Sequence, residues 1–130
     1  MSYDKYDKLE DYSFRLTPMD VNSVRNDIMR LMTYDEEPIM AFRTVRDQVV
    51  FTNKRIISID VTGITGKSKI YRIMPYSKIQ FFSIETPGFA EFFPRSRMYV
   101  QFNGGFKARF DFSGNVDIGG LARMISEYAL

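Results

Sequence analysis

From Ile39 the apolar residues of this chain stop recurring every third or fourth position and begin to recur every second one. Seven segments carry that period: 39–45, 48–52, 55–61, 67–74, 79–86, 97–103 and 106–112. Each is rich in β-branched or aromatic side chains and bounded by turn residues. A period of two sends alternate side chains to opposite faces of a strand. Short connections between such strands predict an antiparallel meander. The alternation is clearest near the end, where Met98, Val100 and Phe102 oppose Arg97, Tyr99 and Gln101. Phe106, Ala108, Phe110 and Phe112 likewise oppose Lys107, Arg109 and Asp111, and Asn103-Gly104-Gly105 between the two segments is a tight-turn signal. In 39–45 and 79–86 both faces are apolar, which predicts a closed barrel or a face presented to a partner.

The remaining periodic segments are helical. Thr17-Pro18-Met19-Asp20 has the form of a helix start, with Thr17 as N-cap and Pro18 in the first turn. Val21, Val24, Ile28 and Leu31 follow at helical spacing, predicting a helix over 18–32 that ends before Pro38. At the other end Asn115 to Asp117 can cap a helix over 116–130, whose stripe of Ile118, Leu121, Ala122, Ile125, Tyr128 and Ala129 is suited to plugging a core. Gly119 and Gly120 weaken that helix by about 1 kcal/mol each relative to alanine, and are expected where a helix lies close against a sheet. Residues 1–16 mix tyrosine with charge and predict a flexible arm. The expected organisation is therefore one domain over 17–130, with a barrel over 38–112; 130 residues suffice for one core.

Composition excludes more chemistry than it suggests. The chain has no histidine and no cysteine, so triads, Cys-His pairs, disulfides and the usual zinc ligands are all absent. No cofactor or metal is expected, and an enzyme ranks last among the functions considered. No apolar run approaches the ~18 residues of a membrane span, and the N-terminus lacks the apolar core of a signal peptide. A cytoplasmic protein, free or peripheral at the membrane, is the expectation. Residues 1–37 hold nine acids and five bases, whereas residues 38–130 hold thirteen bases and seven acids. The mildly basic body suits either a solvated surface or an acidic partner.

Two stretches imitate nucleotide and RNA motifs. Val61 to Ser68, V-T-G-I-T-G-K-S, resembles a phosphate loop, but Gly63 and Gly66 are separated by two residues where the motif needs four. Strand-like sequence on both sides also removes the helix whose N-terminus would bind phosphate. A hairpin turn over 62–66 is predicted, and no bound nucleotide. Met98-Tyr99-Val100-Gln101-Phe102 echoes the end of an RNA-recognition signature, yet the preceding glycine and basic residues are missing. Nucleic acid is accordingly not favoured as a partner.

A more specific likeness lies in V-V-F-T-N-K-R-I-I-S-I-D (Val49 to Asp60), G-I-T-G-K (Gly63 to Lys67), P-Y-S-K-I-Q-F-F-S-I-E-T (Pro75 to Thr86) and the ending F-S-G-N-V-D-I-G-G-L-A-R-M-I-S-E-Y-A-L. Together these resemble the bacterial pleckstrin-homology (PH) domain family over roughly residues 37–130. The resemblance implies a mainly β fold: a seven-stranded split barrel of two nearly orthogonal antiparallel sheets, with one preceding helix and a C-terminal capping helix. It implies a non-catalytic module that forms homo-oligomers, without implying a ligand. In eukaryotic members a long basic loop between the first two strands grips inositol phosphates; here that connection is only Val45-Arg46-Asp47. The bases left at that end are Arg46, Lys67 and Lys69, a candidate anion or lipid-surface site that forms the alternative function. A candidate oligomer interface comprises Phe81, Phe82, Phe89, Phe92 and Phe93, because so many phenylalanines cannot all enter one core. The expected partner is the chain itself, in a closed ring, with another protein or an acidic membrane surface behind it.

Overall fold

The computed structural model describes residues 12–86 and 95–130. Its strands are β1 (Tyr12–Met19), β2 (Pro38–Arg43), β3 (Gln48–Thr52), β4 (Arg55–Thr62), β5 (Ser68–Pro75), β6 (Ile79–Glu85), β7 (Arg95–Phe102) and β8 (Lys107–Ser113), and its helices are α1 (Asn26–Met29) and α2 (Ile118–Ala129). The protein is mainly β, a curled half-barrel with the strand order β5-β4-β3-β2-β1-β8-β7-β6. Seven of these strands lie within two residues of the bounds predicted from alternation. The eighth, β1, corrects the expectation of a flexible arm through residue 16.

β1 joins the two halves of the barrel. Tyr12 to Leu16 pair in parallel with Ala108 to Phe112 of β8, and Thr17 to Met19 then pair antiparallel with Arg43 to Ala41 of β2. The parallel pairing departs from a pure antiparallel meander. Pro18, which cannot donate to a ladder, comes after the last residue paired to β8. Across the open side of the barrel, Tyr12 donates through its hydroxyl to Asp60 of β4. Arg72 of β5 lies 3.7 Å from the centre of the Tyr12 ring and places Nη1 2.5 Å from the same carboxylate. These contacts tie β1 to strands that it does not pair with.

The helix predicted over 18–32 is replaced by a 3-10 turn (Val21–Ser23) and the single turn of α1. Asp20, not Thr17, caps the first turn, accepting from Asn22 N at 2.9 Å. Val24 and Arg25 are extended, and the Arg25 N–H donates to Gln48 Oε1 at 3.0 Å rather than to a helical carbonyl. Asparagine, serine, aspartate and valine fill seven of the eight positions from Asp20 to Asp27, and all of them are poor helix formers. Its role is cover. Val24 and Ile28 pack onto Ala41, Val50, Ile57 and Ile59, the outer apolar face of β2, β3 and β4. The two-sided character of β2 thus finds a cover within the chain.

The main core fills the inside of the curl. Phe14 stacks on Phe110 with ring centres 5.0 Å apart, and Phe51 meets Phe110 edge-on at 5.5 Å, so strands from both halves share one aromatic cluster. Ile118, Leu121 and Ile125 of α2 close it. Asp117 caps α2, accepting from Gly120 N at 2.9 Å. A Cβ on Gly120 would come within 2.3 Å of that aspartate's oxygen, whereas Gly119 meets only the same side chain. Gly120 makes room for the cap, and neither glycine meets the sheet, which corrects the expectation that they bring helix and sheet together.

Candidate functional site

The β4–β5 connection is a hairpin turn, with Gly63 and Gly66 at φ 80° and 69° and Gly66 N donating to Gly63 O at 3.3 Å. The β2–β3 turn lies against it. Arg46 Nη2 donates to Gly63 O at 2.8 Å, and Asp47 Oδ1 accepts from Val61 N at 2.8 Å. The two turns carrying Arg46 and Lys67 are therefore neighbours, and Lys67 is exposed. Lys69 points elsewhere, its Nζ 3.7 Å from Asp27 of α1. Asp27 also accepts from Arg25 at 3.0 Å and from the Tyr71 hydroxyl at 2.8 Å. The hydrogen bond from Arg25 is the main reason its carboxyl is held well below the ordinary range. Two of the three predicted anion-site residues thus have internal partners.

The T-N-K-R stretch proves to be a lock. Thr52 Oγ1 accepts from the backbone N–H groups of Lys54 and Arg55, both at 3.0 Å, and lies 2.6 Å from Glu36 Oε2 as a donor. Arg55 reaches Glu36 Oε2 at 2.9 Å and Leu31 O at 2.6 Å. Burial pushes the Glu36 carboxyl up, but the hydrogen bonds from Arg55 and Thr52 outweigh it and hold the group below its ordinary value. Tyr76, from the P-Y stretch, donates to Thr52 O at 2.7 Å in the buried interior. These motif residues hold the β3–β4 turn against the covering segment.

Of the predicted interface phenylalanines, Phe89, Phe92 and Phe93 lie outside the described residues. Phe82 is half-buried against the main core, while Phe81 on the other face of β6 is 59% exposed. β6 is one edge of the sheet and β5 is the other. The β5 edge shows Ile70, Tyr71 and Ile73 to solvent, and β6 adds Ile84.

A surface that the alternation marked only as polar is more organised than expected. On the outer face of β1, β8 and β7, Arg15 lies beside Asp111, which lies beside Arg97; Arg95 lies across from Ser113, and Arg109 across from Tyr99. Arg15, Arg95, Arg97 and Arg109 line a groove of about 400 Å³, with Asp111 as its single acidic member among the described residues. Arg97 Nε and Arg109 Nε approach the same Asp111 oxygen at 3.3 and 3.5 Å. The hydrogen bond with Tyr99 raises the Arg97 pKa further above its ordinary value. Of the aromatics in the stretch that imitates an RNA signature, only Tyr99 faces outward; Phe102 is buried in the core. Among the described residues no group of three or more acidic, histidine or cysteine side chains is arranged to hold a metal. No helix among them is long and apolar enough to cross a membrane.

A family model described as "Bacterial PH domain" matches residues 9–129. The chain is 41% identical over 66 residues to the uncharacterized protein YjqA of Bacillus subtilis (strain 168); the match covers 51% of this chain and 53% of that protein, about half its length. Among solved structures it is similar to a DUF1696 family protein with a pleckstrin-homology domain from Shewanella loihica PV-4, at 27% identity and TM-score 0.67, covering 89% of this chain and 98% of that one. It is also similar to a pleckstrin homology domain from Shewanella amazonensis SB2B, at 30% identity and TM-score 0.59, covering 86% and 90%. A PH domain containing bacterial protein from Exiguobacterium sibiricum 255-15 shares the fold at 16% identity and TM-score 0.62, with 89% of this chain and 62% of that chain covered.

Proposed function

The chain belongs to the bacterial PH domain family, and on that premise we propose that it is a non-catalytic binding and assembly module that associates with copies of itself. The observation that carries this reading is the pair of sheet edges. An edge strand presents unpaired N–H and C=O groups and templates pairing unless it is short, charged or covered. β5 is eight residues long and exposes Ile70, Tyr71 and Ile73, while β6 exposes Phe81 and Ile84. Two different edges on one chain suit a head-to-tail contact, β5 of one copy on β6 of the next, which closes into a ring when the rotation allows.

Sedimentation equilibrium at micromolar concentrations tests the reading. The expected result is a species several times the 15.2 kDa chain mass, reduced to the monomer by Phe81→Glu without loss of the folded spectrum. A monomer at every concentration overturns it. The anion site read from Arg46, Lys67 and Lys69 remains the second reading, supported by the contact between the two turns that carry Arg46 and Lys67, although Lys69 turns to Asp27. Loss of acidic-vesicle binding in the triple alanine variant is its test.

A further inference from the structure

We propose that Asn103, in the β7–β8 turn, is a site of spontaneous deamidation, a covalent modification with water as its only co-reactant. Asn103 precedes Gly104, and this is the one Asn-Gly pair in the chain. The main-chain nitrogen of Gly104 attacks the Asn103 Cγ, and the new C–N bond closes a cyclic imide. The Cγ–Nδ2 bond breaks, and ammonia leaves with the proton that the Gly104 N–H gives up. Water then opens the imide at either carbonyl. One opening leaves aspartate, and the other leaves isoaspartate, whose main chain runs through the side-chain methylene. No electron is gained or lost.

The first support is access to the nucleophile. Asn103, Gly104 and Gly105 are all exposed. Gly104 has no side chain to block the approach of its nitrogen, and even a Cβ built there would meet nothing within 4 Å. A peptide nitrogen is a poor nucleophile while resonance withdraws its lone pair, so solvent base must first remove its proton. Among the described residues no hydrogen bond holds the Gly104 N–H. The turn is closed instead by its neighbours, Gly105 N donating to Phe102 O at 3.0 Å and Phe102 N donating to Phe106 O at 2.8 Å.

The second support is the contrast with Asn53. That carboxamide is held at both ends, Nδ2 donating to Asp35 O at 3.0 Å and Oδ1 accepting from Glu37 N at 2.9 Å. The nitrogen that follows it, Lys54 N, is itself engaged, donating to Thr52 Oγ1 at 3.0 Å. Cyclisation at Asn53 would break all three bonds. The Asn103 carboxamide has no hydrogen bond among the described residues and turns without such a cost.

The products alter the turn. Either one adds a carboxylate, lowering the formal net charge by one, from +2 to +1. Isoaspartate also lengthens the main chain inside the loop that Gly105 N and Phe102 O close. Asn103 N donates to Lys78 O at 2.7 Å, so the altered residue is the one that ties this turn to the start of β6. The reaction needs no ligand and no second copy, and stands apart from association through the sheet edges.

Incubation of the intact folded chain over weeks, at neutral and at mildly alkaline pH, followed by peptide mapping with mass detection, tests the site. The expected result is that the peptide containing Asn103 gains the mass of an amide-to-acid exchange and splits into aspartyl and isoaspartyl forms, faster at the higher pH. The peptides containing Asn22, Asn26, Asn53 and Asn115 keep their amides over the same period. Asn103→Gln, a change at an exposed position, abolishes the conversion. Retention of the amide at Asn103, conversion there no faster than at Asn53, or aspartate formed without isoaspartate, the mark of direct hydrolysis, overturns the proposal.

Discussion

A single carboxylate, that of Glu36, ties three stretches of chain together by accepting from Thr33 N, Thr52 Oγ1 and Arg55 Nε. Its hydrogen bonds form only in the folded chain, so its folded pKa lies below its unfolded one, and the same holds for Asp27. A depressed carboxylate pKa contributes stability that is fully present above the unfolded value, about 4.3 for glutamate, and is lost as pH falls through the folded value. Urea denaturation from pH 7 downward should therefore show stability declining below about pH 4.3, and Glu36→Gln should flatten part of that decline while costing about 2 kcal/mol at neutral pH. Tyr76 works in the opposite sense. Burial, and then the Glu36 charge, push its hydroxyl far up from the ordinary value near 10. Its contribution is present below pH 10 and lost as pH rises above it. Tyr76→Phe should cost about 1 kcal/mol at pH 7 by deleting the bond to Thr52 O, and should lessen the loss of stability in alkali.

At the scale of the element, the period of two made most strands legible because each buries one face in its own neighbourhood. The missed strand differs in kind. Tyr12, Phe14 and Leu16 do alternate with Arg15 and Thr17, but the partner that gives this pattern meaning is β8, nearly a hundred residues away. Thr17-Pro18 then competed as a helix signal, and Val24 and Ile28 satisfied helical spacing while serving as cover for β2, β3 and β4. The arginine groove was hidden by the same omission. Arg97 and Arg109 read as ordinary polar positions, and Arg95 lay outside the strand predicted over 97–103, until β1 sets Arg15 beside them. Of the anion residues read from the turns, the contact between Arg46 and the β4–β5 turn followed from strand alternation, but the pairing of Lys69 with Asp27 required knowing where α1 lies. The structure makes β1 integral: Phe14 and Leu16 are buried in the main core. Phe14→Ala should cost about 3–5 kcal/mol in chemical denaturation, whereas a flexible arm would tolerate it without measurable loss. Arg46→Ala should leave the core stable and speed amide hydrogen exchange at Gly66, because the guanidinium holds the far side of that turn through Gly63 O.

Among the described residues the sheet curls without closing, and its two edges are β5 and β6. The outer face of β2, β3 and β4 is covered from within by the segment containing α1, and the inner face by α2. Neither device reaches the outward side chains of β5 and β6, where Ile70, Ile73 and Phe81 remain exposed. An edge pairing between copies would bury these side chains and satisfy backbone groups together, so association and stability should be linked. A protein that unfolds from an associated state has a melting temperature that rises with its own concentration, because mass action favours the folded assembly. The midpoint of thermal unfolding should accordingly increase across a dilution series of the wild type. It should become independent of concentration in Phe81→Glu, which places a charge at the edge contact and disturbs no buried contact of the core. The size of the assembly depends on closure: a head-to-tail contact that closes gives a ring of fixed mass, whereas one that does not gives fibres that grow with concentration. Melting midpoints that coincide across the series for both proteins would mean that the edges remain solvated, and the self-association reading would fail.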